Sequence, residues 1–382
     1  MSNPVRSSLS AGHVVSQHPE RYLDCRRVLA KLGLMPDRKN RLSAIIQLMR
    51  LSELGEFGLI ALIDELVTEA RTRVKAGWQN VIVGIGDDAA VFKTERPLGL
   101  STIDTLVEGI HFNCATLDWL SLGWKALAVS LSDIAAMGGR AENVIVALGL
   151  PEDAEVENVK AFYAGLVELA AESGVAVVGG NISRSPVISL TTSVFGSAES
   201  KAKLLLRSNA RPGDKIAVTG HPGTAACGFK MLNENISFDP ETTKVLKNAF
   251  LRPQPRLAEG EILVKQGIRT AIDISDGLIS DLKHVLYASG VSARIELGKL
   301  PISPAVQVHF PDEAVGWSLA GGEDYELLFT GSERDIERAT TETRAPVTVI
   351  GDIRRGQAGE LVLIGADGKP VTLPESTGWQ HF

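Results

Sequence analysis

Cysteine is scarce in this chain of 382 residues, long apolar runs are missing, and there is no excess of positive charge. The three cysteines, Cys25, Cys114 and Cys227, are widely separated, with neither C-x-x-C spacing nor the even count of a disulfide framework. That usage fits a reducing, cytoplasmic setting. No stretch reaches the roughly 20 apolar residues that a membrane-spanning helix needs, and the N-terminus lacks the short hydrophobic core of a secretory signal. A formal charge of −7 speaks against a nucleic-acid partner, which calls for a basic face. Also missing are the G-x-x-x-x-G-K-[ST] phosphate loop and the kinase pairing of H-R-D with D-F-G. The chain reads as soluble and intracellular, with no membrane or nucleic-acid partner.

What is present is an ordinary globular composition, 44% hydrophobic and 22% charged, in a chain long enough for two domains. Residues 1–50 read as a basic N-terminal extension, a loosely docked tail in which Arg and Lys outnumber acids. Met49 stands just before the organised part, so an internal start is an open alternative. From Glu53 to Val74 the apolar residues Leu54, Phe57, Ile60, Ile63, Leu66, Val67 and Ala70 recur at helical spacing. Strands are expected at Val81–Val83, Ala90–Phe92 and Leu98–Ile103, a helix over Leu122–Met137 closed by Gly138 and Gly139, and a strand at Asn143–Leu148. A helix over Ala154–Ser173 and strands at Val175–Val178 and Val187–Phe195 follow. Ser197–Gly213 has the composition of a linker, which places a domain boundary near residue 200, between domains 51–199 and 200–382. Beyond it, Lys215–Val218, Thr270–Ile274 and Ala293–Leu297 read as strands among helices. The hairpin-like connection after Asp88 argues against a purely parallel sheet, so the expected class is α+β (mixed α/β), two domains with mixed sheets.

The most informative segment is Val81–Val91, VIVGIGDDAAV. A β-branched run ends in two glycines and then in adjacent carboxylates, Asp87 and Asp88, whose repulsion is relieved by water or by a cation. Gly84, Gly86 and Ala89 match the dinucleotide pattern G-x-G-x-x-A, but that motif needs a helix facing a pyrophosphate. Here the chain runs on as an apolar strand, and two aspartates would point at the anion. Further carboxylates end other apolar runs: Asp104, Asp133, Asp273 and Asp276 around Ser275, and Glu323 with Asp324 after Gly321 and Gly322. Each alone reads as a cap or turn residue. The repeated association of strand end, glycine and carboxylate suggests oxygen ligands for magnesium, which is held by a few carboxylates plus substrate phosphates.

The runs GEFGLI, GIGDDAAV, DTLVEGIHF, GWKALAVSLSDIAAMGG, RPGDKIAVTG, AIDISDGLISDL and GGEDYELLFT, in this order, resemble the thiamine-monophosphate kinase family of the aminoimidazole ribonucleotide synthetase-like superfamily. The resemblance runs from about residue 53 to the C-terminus. It implies a homodimer that uses ATP and several magnesium ions to phosphorylate thiamine monophosphate to thiamine diphosphate in a cleft. It also implies magnesium at Asp88, Asp104, Asp133, Asp273 and Asp276, with Thr102 beside them. ATP contacts fall on Gly180, Arg207 and Ser275, and substrate contacts on His111, Glu323 and Trp379. The acceptor is a phosphate oxygen already anionic at neutral pH, so the implied chemistry needs positioning and charge neutralisation rather than a strong base.

Three departures stand out. G-G-D-T-T-R is replaced by Gly179, Gly180, Asn181, Ile182, Ser183 and Arg184, so Asn181 occupies an expected metal position with an amide that brings no charge. STIDT puts Ile103 where a hydroxyl is expected beside Asp104, and an inserted residue there would swap the faces of Ser101 and Thr102 unless a bulge absorbs it. Gly223–Gly228 reads G-T-A-A-C-G in place of G-D-S-A-A-G. Alternative accounts therefore stay open: another ATP-using enzyme of the superfamily, or an inactive nucleotide-binding paralogue.

Overall fold

The computed structural model describes residues 51–73, 77–85, 90–373 and 378. The basic extension, the Asp87–Asp88 pair and Trp379 lie outside the described residues. Helix α1 (Leu51–Arg73) is broken near its start, where Gly55 adopts φ 73°. The short strands β1 (Val81–Val83) and β2 (Val91–Phe92) pair antiparallel. This hairpin replaces the helix that a dinucleotide loop would require, and the Rossmann reading falls with it.

Two mixed sheets follow among the described residues. The first has four strands, β3 (Leu98–Val107), β4 (Arg140–Leu150), β5 (Ala176–Arg184) and β6 (Ser189–Ala198), in the order β3-β6-β4-β5. Only β4 and β5 run parallel. One face is packed by helices α2 (Trp119–Ala136) and α3 (Val156–Ser173), together with α1, around Leu122, Leu127, Leu131, Phe162, Leu166 and Leu190. Helices α2 and α3 cross in close contact: a Cβ on Gly123 would meet the Phe162 carbonyl oxygen at 1.8 Å, and one on Gly165 the Leu120 carbonyl oxygen at 1.8 Å. Helix α2 begins at Trp119 because Asp118 caps it, accepting from the Ser121 N–H at 2.8 Å. Apart from its ends it is buried nearly all round, as a helix clasped between layers must be.

The second sheet is built from β7 (Lys215–Thr219), β8 (Thr270–Asp273), β9 (Ser292–Glu296), β10 (Leu327–Gly331), β11 (Val347–Arg354), β12 (Leu361–Ile364) and β13 (Pro370–Val371). Their order is β13-β12-β9-β11-β7-β10-β8, parallel only between β9 and β12. Helices α4 (Thr224–Asn233), α5 (Pro240–Leu251), α6 (Leu257–Lys265), α7 (Leu278–Ser289), α8 (Pro304–His309), α9 (Ala314–Ala320) and α10 (Glu333–Glu342) accompany it. Strand alternation buries both faces: Ile216, Val218, Ile272 and Leu328 pack toward α7, while Ala217, Ala271, Leu327 and Phe329 pack toward α6 and α10. Ala135 and Ala136, at the end of α2, join this second layer. The helix that covers the first sheet thus reaches the second, and it carries Asp133 to the edge strand β8. No helix among the described residues is long and apolar enough to cross a membrane.

Candidate active site

The site is assembled from three strand or helix ends that the alternation of buried residues aims at one another. In β3, Leu100, Thr102, Asp104 and Leu106 point toward α2, whereas Ser101, Ile103 and Thr105 point outward. The β3–β6 ladder is unbroken from Leu98 opposite Ala198 to Val107 opposite Ser189, so no bulge is present and Thr102 shares the face of Asp104. Ile103, 66% exposed, faces the other way. From α2, Ser130 donates to Asp104 Oδ2 at 2.8 Å, and Thr102 Oγ1 donates to Asp133 Oδ2. Ser132 Oγ donates to Asp273 Oδ2 at 2.7 Å, both groups buried, and links α2 to the end of β8.

The electrostatics follow from this crowding. Asp104 is pushed up to about 6, chiefly by burial and then by repulsion from Asp133, against the Ser130 hydrogen bond. Asp273 is pushed up to about 7, again by burial first and Asp133 second, opposed by the Ser132 hydrogen bond and by the positive charge of Arg207. Carboxyls raised by burial and a like-charged neighbour mark a place where a cation would be stabilised. Among the described residues no three acidic, histidine or cysteine side chains enclose a metal by themselves. A cluster of this kind needs substrate phosphates to complete a metal's shell. Its donor set of carboxylates and hydroxyls still fits magnesium, an oxygen-seeking ion that keeps waters and takes phosphate oxygens as further ligands.

After β8 the chain turns sharply through Ser275, Asp276 and Gly277. The turn is organised by a residue that sequence reasoning missed: Asp281 Oδ2 accepts from the N–H groups of Ser275, Asp276 and Gly277 at 3.1, 3.2 and 3.1 Å. Burial, with Asp273 and Asp276 nearby, pushes Asp281 up to about 7 despite these bonds. Glu323 packs its backbone against the same turn, its N–H donating to the Ser275 carbonyl at 2.7 Å. Tyr325 is buried near Glu323, Asp273, Asp104 and Asp276, and burial followed by these charges holds its phenol well above the ordinary range. It remains a proton donor. Ser130, Ser132 and Tyr325 were also missed, because the first two read as small helix-packing residues and the third as part of a strand.

Other expected residues fall further out. Cross-strand pairing puts Gly180 in the row Asp104–Thr192–Val146–Gly180, on the α2 side. Asn181 lies in the adjacent row with Ala147, Thr191 and Thr105, on the outer face. Within this chain the pleat thus turns Asn181, expected among the metal ligands, to the face opposite Asp104. His111, in the turn after β3, accepts from the Val107 N–H on Nδ1 at 3.0 Å, so its neutral form carries the proton on Nε2.

Known proteins resemble this chain over most of its length. The family model described as AIR synthase related protein, N-terminal domain, matches residues 86–198, and the model for the corresponding C-terminal domain matches 211–364. The chain is 39% identical to thiamine-monophosphate kinase of Escherichia coli (strain K12) over 335 residues, 86% of this chain and 98% of that one. The crystal structure of thiamine-monophosphate kinase from Stenotrophomonas maltophilia K279a superposes with a TM-score of 0.72 at 34% identity, covering 81% of this chain and 97% of the other. A structure described as AaThiL complexed with AMPPCP and TMP gives 0.67 at 35% identity, with 87% and 99% covered. Through both of its halves, the chain belongs to the thiamine-monophosphate kinase family of AIR synthase related proteins.

Proposed function

We propose that this chain transfers the γ-phosphoryl group of ATP to thiamine monophosphate, giving thiamine diphosphate and ADP. The observation that carries the reading is the cluster of half-buried Asp104 and Asp133 with buried Asp273, tied across both halves of the molecule by Thr102, Ser130 and Ser132. It is supported by the family membership and by the relative bound to AMPPCP and TMP. Magnesium held between these carboxylates and the phosphates would neutralise the charge that brings two anionic substrates together.

The chain's own groups position and orient. Arg207, close enough to lower the pKa of Asp273, presents a guanidinium that can fork onto phosphate oxygens. The Ser275–Gly277 turn and the close backbone at Gly180 shape the nucleotide side. Glu323, His111 and Trp379 are assigned to the thiamine side, and Asp88 and Asp276 to the metal. In the transfer, an oxygen of the thiamine phosphate forms a bond to the γ-phosphorus as the bond to the β–γ bridging oxygen breaks, and ADP leaves with that electron pair. No side chain has to remove a proton from the acceptor, which accords with a site rich in aspartate.

The functional unit in this reading is a cytoplasmic homodimer. Its support is the outer face of the four-stranded sheet, which the described residues cover in part, with Phe92 packed on Phe195, and where Ile103 stays 66% exposed and Asn181 also lies. On this view the two departures act at a subunit surface rather than on the Asp104 cluster.

The test is incubation of the purified protein with ATP, magnesium and thiamine monophosphate, with separation of the thiamine phosphates by chromatography, alongside Asp273→Asn. The expected result is thiamine diphosphate formed only with magnesium, and a drop of about 100-fold or more in the variant. ATP consumption without thiamine diphosphate would point to a different acceptor.

A further inference from the structure

Lys125 is 1% exposed, so α2 carries an ammonium group into the protein interior. Its Nζ lies 3.0 Å from Glu323 Oε1, donates to the Phe250 carbonyl at 3.1 Å, and sits 3.8 Å from the centroid of the Phe250 ring. A buried ammonium is costly unless such partners surround it, and here a carboxylate, a carbonyl and an aromatic face share it. The partners are unequally buried: the side chain of Glu323 remains 35% exposed. Lys125 reaches its Oε1, and the exposed part of the carboxylate remains open to a ligand.

The backbone at Glu323 is also unusual. It has φ 57° and Tyr325 has φ 50°, left-handed conformations that non-glycine residues seldom adopt and that cluster at ligand sites. The Glu323 N–H is fixed to the Ser275 carbonyl. Its side chain is therefore held from two sides, by the turn after β8 through the backbone and by α2 through Lys125.

We propose that Lys125 is the positioning residue of the thiamine subsite: it pins Glu323 Oε1 so that Oε2 meets a polar or cationic edge of the substrate. Lys125 acts through Glu323 and does not itself touch the reacting phosphates. The inference rests on the reading of Glu323 as a substrate contact, and the test separates the two.

Steady-state kinetics are measured with magnesium-ATP and thiamine monophosphate for Lys125→Met, Lys125→Arg, Glu323→Gln and the Lys125→Met/Glu323→Gln double variant. Lys125→Met is expected to raise KM for thiamine monophosphate about tenfold, the equivalent of one lost oriented contact. Its kcat and its KM for ATP should stay within about threefold of the parent, and Lys125→Arg should recover most of the loss. The double variant should be no worse than Glu323→Gln alone, since coupled residues are not additive. If Glu323→Gln leaves KM for thiamine monophosphate unchanged, the reading of Glu323 itself fails. If Glu323→Gln raises that KM and Lys125→Met does not, or if the two effects simply add, the positioning role is overturned. Should Lys125→Met not fold, Lys125→Gln carries the same test, because its amide still donates to the Phe250 carbonyl: a raised KM is expected, and an unchanged one overturns the proposal.

Discussion

Ser132→Ala isolates one interaction at the junction between the two halves. In the parent, Ser132 Oγ donates to Asp273 Oδ2 at 2.7 Å in a buried setting, and the Asp273 pKa is about 7 because burial and Asp133 outweigh this bond. A hydrogen bond to an ionised acceptor contributes about 1.5–3 kcal/mol, against roughly 0.5–1.5 for a neutral one. The difference, about 1–1.5 kcal/mol, is about one pKa unit, so the variant should hold Asp273 protonated to a pH about one unit higher. Magnesium binds the deprotonated carboxylate, so affinity falls as pH drops through the pKa of Asp273. Calorimetric magnesium titrations across that range should show the fall beginning about one unit higher in Ser132→Ala. Without magnesium the sign for stability is reversed. A folded pKa raised above the unfolded value of about 3.9 contributes stability that is full below that value and lost as pH rises through about 7. Coincident pH midpoints for magnesium binding in the two proteins would refute the reasoning.

Other expectations follow from single contacts. Asp281→Asn keeps an acceptor for the turn N–H groups but cannot ionise. Since the parent carboxyl is raised to about 7, the variant's thermal midpoint should change less than the parent's between about pH 5 and about pH 8. Gly180→Ala places a Cβ 2.0 Å from the Val146 carbonyl oxygen; denaturant unfolding should show a loss of about 1–3 kcal/mol, accompanied by weaker ATP binding. Ile103→Asp puts a charge on the outer sheet face and should move the mass measured by light scattering from dimer toward monomer, with the helix content retained.

Much of the site could be read from sequence because its carriers obey simple periods. Thr102 and Asp104 alternate on one strand face, and the apolar stretch before Asp133 marks α2 as a buried helix. The β-branched run ending at Asp273 marks an edge where a side chain can meet that helix. What escaped was anything decided by cross-strand registry or by the third dimension. Asn181 follows Gly180 directly, and only the β4–β5 pairing shows that it faces the other side of the sheet. Strand β5 itself runs to Arg184, past two glycines that read as its end, because ladder hydrogen bonds with β4 compensate for their poor strand preference. Lys125 sits in an apolar helical pattern, where a lysine reads as a snorkelling surface residue; its partner is 198 positions away in Glu323. Asp281 reads as helix interior, and its three backbone partners become visible only when the turn is folded over it.

Carboxylates from both halves, in the function proposed, support phosphoryl transfer from ATP to a second phosphate. The most direct test is phosphorus NMR of the protein with magnesium, ATP and thiamine monophosphate, followed in time. The account requires the monophosphate signal to be replaced by the paired signals of thiamine diphosphate, in equal amount with ADP and without inorganic phosphate. Inorganic phosphate accumulating while thiamine monophosphate persists would contradict it, as would bound magnesium-ATP that is never consumed.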